Sequence, residues 1–521
     1  MPTLLDLSTE TLCLIFRHLC LHCQGEYSLP YSPAHDHHHP EQVPNAPSWY
    51  GATRQELASL CLVSQRIRDI AQDILYHEFV LDWGGSWRSG CYSWNGRLTS
   101  FMRTVSQRRD LADRVRSVSL SWSLLDPIGD EEARDTLKAV ANARDIHLPW
   151  LWKQRSQTTS GDERYKRFLS FFLDNPKHYD DGPRSILDCN LTIYAPRRSW
   201  LTVELFSLLI SLLPNVEHLR HVGLERRCLW PEMGISPASL HALGVESIPL
   251  KSLDLDCQDL TLLRMAENLE TLSLHTSIIH DDAPAMPNLK TLRVTDVRLR
   301  KNSLEHLLSC CTGALHTFVY EARQPVTLDI DDVIAVVEGG DYPGSNHFQP
   351  SDAVECLRSH RKSLRTLHLD LRRRTFDDIG TEPICSLEDF TALESLFLCS
   401  MDIYNDRLDP RSDTYALVNR LPVSIESLYL AAHRKGHKVR LGRGLLGLSN
   451  VLQYRRQQLP NLQRIWCDDG ERFEEALMRY RMDAADVEFG YEKWPLMADS
   501  RYPEEFFPSG SITDAERVWD L

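Results

Sequence analysis

A six-residue pattern of hydrophobic positions, L-x-x-L-x-L, recurs along the second half of the chain. Its copies begin at eight apolar residues: Leu250, Leu269, Leu289, Leu315, Leu364, Leu393, Ile425 and Leu462. Each copy ends in the alternation of apolar and variable positions that is typical of a β-strand, with the last two apolar side chains directed inward. Weaker copies surround residues 115–120, 191–193 and 216–224.

Helical patterns lie between the copies, for example Ser303–Cys311 and Ser351–His360. A strand followed by a helix that leads to a parallel strand is the unit of a solenoid. The chain therefore resembles the leucine-rich repeat family, and the expected fold is α/β, with parallel strands on a concave face and helices and loops outside. The copies are 19, 20, 26, 49, 29, 32 and 37 residues apart, so we expect a degenerate array with inserted loops.

The first eighty residues have a helical pattern. Between residues 8 and 20 four apolar residues follow the i, i+3, i+4, i+7 spacing of an amphipathic helix, with Ser8 placed as its N-cap. Two more helical patterns follow, around Leu57–Ser64 and Ile67–Ile74. Three such short helices carry more apolar surface than they bury among themselves, which indicates a partner surface.

These helices resemble an F-box, the motif that docks on the Skp-type adaptor of cullin-RING ubiquitin ligases. The likeness spans roughly residues 4–80 and rests on Leu7-Ser-Thr-Glu10, Ile15-Phe16-Arg17-His18-Leu19, Leu60-Cys-Leu-Val63-Ser64-Gln-Arg66 and Leu75-Tyr76. Ser8 stands where the family usually has Pro, and about thirty-seven residues separate the first two helices where the family has a short turn. The resemblance implies adaptor contacts from ten residues: Leu7, Glu10, Ile15, Phe16, Leu19, Leu60, Leu62, Val63, Ile67 and Leu75.

The segment at about residues 24–50 is rich in His and Pro, and we expect it to be a flexible inserted loop. Cys20 and Cys23, followed by His35 and His39, come close to a two-Cys, two-His zinc spacing. Prolines 30 and 33 lie just before these histidines, where a zinc finger needs its helix, and a proline inside a helix costs about 3 kcal/mol. The sequence therefore predicts no metal and no cofactor.

Composition narrows the classes of partner. The 521 residues are 42% hydrophobic and 25% charged, as in globular proteins, and the net charge of −15 opposes binding to nucleic acid. The apolar stretch Leu201–Leu213 is shorter than the about twenty residues of a membrane span, so no membrane association is expected. Fourteen irregularly spaced cysteines indicate free thiols in a reducing compartment, which favours the cytoplasm, the nucleus or both.

These patterns predict four regions: an F-box at 1–80, a linker and the start of the array at 81–110, degenerate repeats at 111–469, and an acidic C-terminal cap at 470–521. The last region has thirteen acidic and six basic residues. It contains a helical pattern, Phe473–Tyr480, and a strand pattern, Val487–Trp494. A solenoid needs such a cap because its last strand is otherwise unpaired.

One motif suggests a nucleotide cofactor. Gly442, Gly444 and Gly447 form a G-x-G-x-x-G, and Asp468 follows about twenty residues after them, as in dinucleotide-binding folds. No buried strand pattern precedes these glycines, however, and Leu462–Cys467 already belongs to the repeats. We therefore expect no enzymatic activity.

The residue between the two inward positions of each predicted strand faces outward. Along the array these residues are Asp254, Ser273, Arg293, Val319, His368, Phe397, Tyr429 and Trp466. Because parallel strands lie about 4.8 Å apart, Phe397, Tyr429 and Trp466 are predicted to form a contiguous aromatic row. Exposed aromatic side chains are frequent binding anchors, so we expect this row, with His368 and Arg293, to bind substrate. The alternative is that the acidic tail covers the row.

The two resemblances together imply a fungal-type F-box protein that is the non-catalytic substrate-recognition subunit of an SCF-type ubiquitin ligase. Its F-box would bind the Skp-type adaptor, and its repeat surface would bind a protein substrate of unknown identity. The alternative is a leucine-rich-repeat interaction scaffold without a role in ubiquitin ligation, in which the N-terminal helices only cap the array.

Overall fold

The computed structural model describes residues 6–25, 49–80, 96–121, 124, 128–158, 163–174, 196–222, 235–255, 260–275, 283–297, 299–322, 348–372, 384–404, 413–431, 435–468 and 475–492. The chain divides into two compact units. The first comprises Met1–Tyr31, His39–Leu292 and His306–Ala314, and the second comprises Ser32–His38, Arg293–Glu305 and Leu315–Leu521. Most of the expected inserted loop and the expected copy at 191–193 lie outside the described residues.

The first unit combines helices with short strands. Its described helices are α1 Thr9–Arg17, α2 Leu21–Gln24, α3 Trp49–Leu60, α4 Gln65–Leu75, α5 Arg97–Gln107, α6 Arg109–Ala112, α7 Asp130–Ala143, α8 Leu148–Thr158, α9 Glu163–Phe171, α10 Pro196–Leu212 and α11 Pro237–Ala242. Its described strands are β1 Glu78–Phe79, β2 Ser117–Ser121, β3 His218–Val222, β4 Ser252–Leu255 and β5 Thr271–His275. A 3-10 turn, Thr261–Met265, joins β4 to β5.

The second unit repeats strands more regularly. Strand β6 Thr291–Val297 and helix α12 Lys301–Cys310 contribute residues to both units. The described strands that follow are β7 Thr317–Ala322, β8 Thr366–Asp370, β9 Ser395–Cys399, β10 Ser427–Ala431, β11 Arg464–Asp468 and β12 Glu488–Glu492. The described helices are α13 Pro350–Leu357, α14 Ser400–Ile403, α15 Asp413–Ala416, α16 Lys435–Tyr454 and α17 Glu475–Asp483, with 3-10 turns at Arg358–His360 and Arg456–Gln458.

The strands pair in parallel and in chain order, β1 to β5 in the first unit and β7 to β12 in the second. In seven of the eight hexamers the backbone N–H of the second residue donates a 2.8 Å hydrogen bond to a carbonyl next to the preceding strand, for example from Glu394 to Arg365 and from Glu426 to Glu394. All eight predicted hexamers coincide with strands, β4 to β11, and the weaker copies at 115–120 and 216–224 coincide with β2 and β3. The predicted α/β repeat of parallel strands and helices is confirmed at this level.

The inward side chains of the hexamers form the core of each unit. Leu367, Leu396 and Leu428 are partners in the register of β8, β9 and β10, and all three are fully buried. Burying a leucine side chain stabilises a fold by roughly 1.5–3 kcal/mol. Each added strand therefore extends the core by one such row.

Helix α10 contains the apolar stretch that the sequence analysis compared with a membrane span. Its Glu204 is buried and paired with Arg155 of α8, whose Nη1 lies 2.8 Å from Glu204 Oε2, and Glu204 also accepts a hydrogen bond from the Tyr165 hydroxyl at 2.6 Å. Burial raises the pKa of Tyr165, which keeps this hydroxyl a donor. All side chains of α10 from Trp200 to Ile210 are buried, so α10 is a core helix in which Glu204 is paired with Arg155. Across the described part of the chain, no helix combines the length and apolar character that crossing a membrane requires.

Candidate interaction surfaces

The N-terminal helices enclose a small apolar core. Its buried side chains are Leu12, Phe16, Cys20, Leu57, Ile67, Ile70, Ala71 and Ile74. Side chains cap two helices, because the Ser8 hydroxyl accepts the Thr11 N–H at 3.3 Å and the Ser64 hydroxyl accepts the Ile67 N–H at 3.2 Å. Arg66 donates to the Leu7 carbonyl at 2.6 Å, which brings the first turns of α1 and α4 together.

Four large apolar side chains of these helices point to solvent. In the turn between α3 and α4, Leu62 is 81% exposed and Val63 58% exposed. On α1, Leu14 is 62% exposed and Ile15 42% exposed. Exposed apolar side chains concentrated on so small a group of helices are typical of a binding surface.

The residues that the F-box resemblance assigns to adaptor binding fall into three groups. Glu10, Ile15, Leu62 and Val63 are exposed, whereas Leu7, Leu19, Leu60 and Leu75 are half-buried against the core. Phe16 and Ile67 are buried, so the expectation that they lie on a docking surface is wrong for this structure: they stabilise the core instead.

One exposed apolar residue of these helices, Leu14, is not among the predicted adaptor contacts. Leu14 lies immediately before Ile15, outside the apolar stripe that the i, i+3, i+4, i+7 spacing predicts for α1. A hydrophobic residue on the polar side of an amphipathic helix was the available signal.

The second candidate surface is the outward face of β8 to β11. The strand register pairs His368 with Phe397, Phe397 with Tyr429, and Tyr429 with Trp466, so the predicted row exists and its members share a face. The rings of His368 and Phe397 are stacked, with centroids 3.9 Å apart and an interplanar angle of 20°. Tyr429 and Trp466 pack against a cluster that contains Phe397.

This row is not uniformly open. His368 and Phe397 are each only 2% exposed, whereas Tyr429 and Trp466 are half-buried. Arg293, the predicted polar contact in β6, is also buried. The expectation of exposed anchors is therefore wrong at His368, Phe397 and Arg293, because their side chains are packed against the protein.

The acidic C-terminal region continues the sheet next to this row. Its predicted helix and strand are found as α17 and β12, and β12 pairs in parallel with β11. Trp466 faces Gly490 in the register, and a side chain at Gly490 would collide with the Trp466 ring. Because glycine has no side chain, position 490 leaves space for the Trp466 ring, the last ring of the row. Trp494, the last residue of the predicted strand, lies outside the described residues.

A charged network lies beside the buried end of the row. The Arg372 guanidinium forms ion pairs with two aspartates: Nη2 lies 2.6 Å from Asp370 Oδ2, and Nη1 lies 3.1 Å from Asp468 Oδ2. The guanidinium carbon also lies 5.7 Å from the centre of the Phe397 ring. Burial raises the pKa of Asp370, but the charge and hydrogen bonds of Arg372 outweigh this effect and lower it to about 2. Burial lowers the pKa of His368 to about 3, so its ring is neutral near pH 7.

Asp370, Arg372 and Asp468 also belong to this face and are not among the residues predicted to bind substrate. Asp370 and Asp468 are two residues beyond His368 and Trp466 in their strands, and period two places them on the same side of the sheet. That alternation was the signal for the two aspartates. Arg372 follows β8, and no periodic pattern identifies it.

The glycines of the G-x-G-x-x-G lie inside helix α16 and form no phosphate-binding loop. A Cβ at Gly444 would collide with the Tyr404 hydroxyl, and one at Gly447 would collide with the Thr414 carbonyl. These glycines allow α16 to approach its neighbours closely.

No family model and no curated protein matches the chain. Among solved structures, a chain of the Rad7 and Elc1 complex from yeast is similar over 85% of this chain and 98% of that chain, at 12% sequence identity and a TM-score of 0.25.

Proposed function

We propose that the protein is a non-catalytic substrate receptor of an SCF-type ubiquitin ligase in the cytoplasm or the nucleus. Residues 1–80 act as an F-box that binds the Skp-type adaptor, and residues 81–110 lead into the array. The repeats at 111–469 bind a protein substrate, and residues 470–521 cap them. Ubiquitin transfer is accelerated by proximity, because both docking events raise the effective concentration of a substrate lysine near the charged thioester.

The observation that carries this proposal is the exposure of Ile15, Leu62 and Val63. The F-box resemblance assigns all three to adaptor contact, and each is exposed while its neighbours Phe16 and Ile67 complete the core. Burying a valine or leucine side chain against a partner contributes roughly 1.5–3 kcal/mol. The helices thus combine a stable core with an apolar surface available to an adaptor.

On the substrate side, the proposal rests on Tyr429 and Trp466. Their rings are half-buried and belong to neighbouring strands. Side chains held in place by packing lose little conformational freedom on binding, which favours aromatic anchors of this kind. Phe397 and His368 support the row from within.

The test is co-purification of the full chain with a Skp-type adaptor. Val63→Asp places a charge on the proposed docking surface and should abolish adaptor binding without unfolding the protein. Val423→Asp is a matched control in the second unit, since Val423 is 53% exposed against 58% for Val63. The control should bind the adaptor like the unchanged protein.

Two outcomes contradict the proposal. If the unchanged protein does not bind the adaptor, the chain is better described as an interaction scaffold without a ligase role. If Val63→Asp binds normally, the docking surface lies elsewhere.

A further inference from the structure

Two cysteines and two histidines converge where the N-terminal helices meet the first strand. Cys20 precedes α2, His22 and Cys23 lie on α2, and His77 lies between α4 and β1. One potential ligand atom from each of the four residues lies within 4.8 Å of every other. Cys20 is buried and the other three are half-buried. The described cysteines are free thiols, Cys20 and Cys23 among them.

The spacing of these atoms matches tetrahedral coordination. With Zn–S near 2.3 Å and Zn–N near 2.0–2.1 Å, ligand sulfur and nitrogen atoms at a tetrahedral zinc lie about 3.6 Å apart. Here His77 Nδ1 lies 3.3 Å from Cys23 Sγ and 3.7 Å from Cys20 Sγ, and His22 Nδ1 lies 4.0 Å from Cys23 Sγ. Shifts of a few tenths of an ångström bring these three distances to the tetrahedral value.

The backbone holds the ligands in place. The His77 carbonyl accepts the N–H groups of Arg116 and Ser117, at 2.8 and 3.0 Å, which fixes His77 to the start of β2. The Cys20 carbonyl accepts the Gln24 N–H at 3.1 Å, so α2 presents Cys20 and Cys23 from a single turn.

A charged pair lies beside the cluster. Glu78 Oε1 accepts the Cys20 thiol at 2.8 Å and the His22 N–H at 2.9 Å, and Glu78 Oε2 lies 3.8 Å from Arg54 Nη1. When a divalent cation binds, both thiols release their protons to solvent. The Cys20 hydrogen bond to Glu78 is then lost, and the Glu78 carboxylate retains its contacts with the His22 N–H and with Arg54. Two thiolates and the Glu78 carboxylate then balance the cation and the Arg54 guanidinium, so the group as a whole is neutral. The Glu78 carboxylate also holds α2 in position by accepting the His22 N–H, as residues that hydrogen-bond to metal ligands commonly do.

We propose that Cys20, His22, Cys23 and His77 bind one Zn²⁺. Two thiolates with two imidazoles are a ligand set that selects zinc over hard cations such as Mg²⁺ or Ca²⁺. The Cys20 and Cys23 pair is the one that the sequence singled out, but its partners here are His22 and His77. The expectation of a metal-free N-terminus is replaced by this proposal.

The metal would have a structural role. Cys20 and His77 are 57 residues apart in the chain, so one ion ties the end of α1 to the beginning of β1. Metal binding to such a preformed site adds directly to the stability of the fold. The proposal is independent of adaptor docking, because the exposed residues Ile15, Leu62 and Val63 take no part in it.

The test is the zinc content of the full chain, purified without chelators under reducing conditions and measured by mass spectrometry of the metal. We expect one zinc per chain in the unchanged protein and in Cys61→Ser, a control that removes another half-buried cysteine of the same helices. Cys23→Ser and His77→Gln should each lose the zinc. Circular dichroism establishes that the variants are folded, and Co²⁺ added to the zinc-free protein should give the visible bands of a tetrahedral thiolate site.

Several results overturn the proposal. One is a folded protein without stoichiometric metal, and another is zinc that persists in both ligand variants. A third is a Cys20–Cys23 disulfide under the same reducing conditions.

The last outcome concerns a second group of potential ligands that shares His22. This group consists of His22, Glu217 and His218, and the rings of His22 and His218 have centroids 6.1 Å apart. Loss of zinc in His218→Gln but not in Cys23→Ser would assign the metal to that group instead.

Discussion

The N-terminal helices and the strands of the second unit each bury one face against a core. They differ in how far the remaining side chains are exposed to solvent. In the N-terminal region, Leu62 and Val63 of the turn before α4 remain largely exposed beside a core that contains Phe16. In the strands, even the outward residues His368 and Phe397 are almost fully buried. An apolar side chain outside the core is therefore exposed to solvent in the N-terminal region, whereas in the strands of the second unit it is packed against its neighbours.

The difference has a physical origin in the size of the two regions. Short helices enclose a narrow core, so apolar residues outside the buried stripe of α1 and in the turn before α4 stay in solvent. Adjacent strands of a parallel sheet place side chains about 4.8 Å apart, so large rings on one face cover one another. Arg372, with its bonds to Asp370 and Asp468, adds to that cover.

The largest effect should come from the core of the N-terminal helices. Phe16→Ala removes a side chain that is 1% exposed and should lower the free energy of unfolding of these helices by about 3–5 kcal/mol. Its neighbour Ile15 is 42% exposed, and Ile15→Ala should cost less than about 1 kcal/mol. Amide hydrogen exchange in α1 and α4 measures both locally, which suits a chain of two units. Equal losses of protection in the two variants would contradict the contrast between core and surface.

A smaller effect is expected in the aromatic row. Phe397→Leu keeps much of the buried volume but removes the stacking on His368, so it should cost about 1–1.5 kcal/mol. Tyr429→Leu, at a half-buried position of the same row, should cost less. Hydrogen exchange of β9 and β10 provides the measurement. If Phe397→Leu leaves protection unchanged, the buried state of this ring is refuted and an open row is supported.

The sequence predicted the strands because their pattern is local. Leu367, Leu396 and Leu428 follow an alternation that lies within six residues, and burial of one face needs no further information. The two-residue strand β1 is too short to show any alternation and was missed. The alternative of a row covered by the acidic tail allowed for a buried Phe397, but it did not include the contacts with Arg372 and with the neighbouring strands, whose spacing in the chain is irregular.

The features of the candidate sites that could not be predicted also depend on contacts between segments that are far apart in the chain. Apolar residues of α1 were recognised, but the division between buried Phe16 and exposed Ile15 depends on how α1 meets α4. The Cys20-x-x-Cys23 pair was visible in the sequence, whereas His77 reaches it across more than fifty residues through the fold. A contact between segments so far apart has no signature in a single sequence.

The smallest effect expected is the contribution of His368 to the pH dependence of stability. Burial is the main cause that lowers its pKa to about 3; the Arg372 charge acts in the same direction, and Asp370 opposes it. In the unfolded chain a histidine has a pKa of about 6.5, so between pH 7 and pH 6 the unfolded state takes up a proton that the folded state does not. Stability must then fall as the pH falls, by about 0.7 kcal/mol over this interval for this one group.

Comparison of the unchanged protein with His368→Gln isolates this contribution. Asp370, with a pKa of about 2, stays ionised throughout the interval and adds nothing to the slope. His221 of β3, whose pKa burial lowers to about 4, contributes equally to both proteins and cancels. Urea unfolding of the second unit, followed by hydrogen exchange in β8 at pH 6 and pH 7, should show a shallower pH dependence in the variant even if its overall stability is lower. Identical slopes would mean that His368 is hydrated and titrates normally, which would make the outward face of the strands as open as the surface of the N-terminal helices.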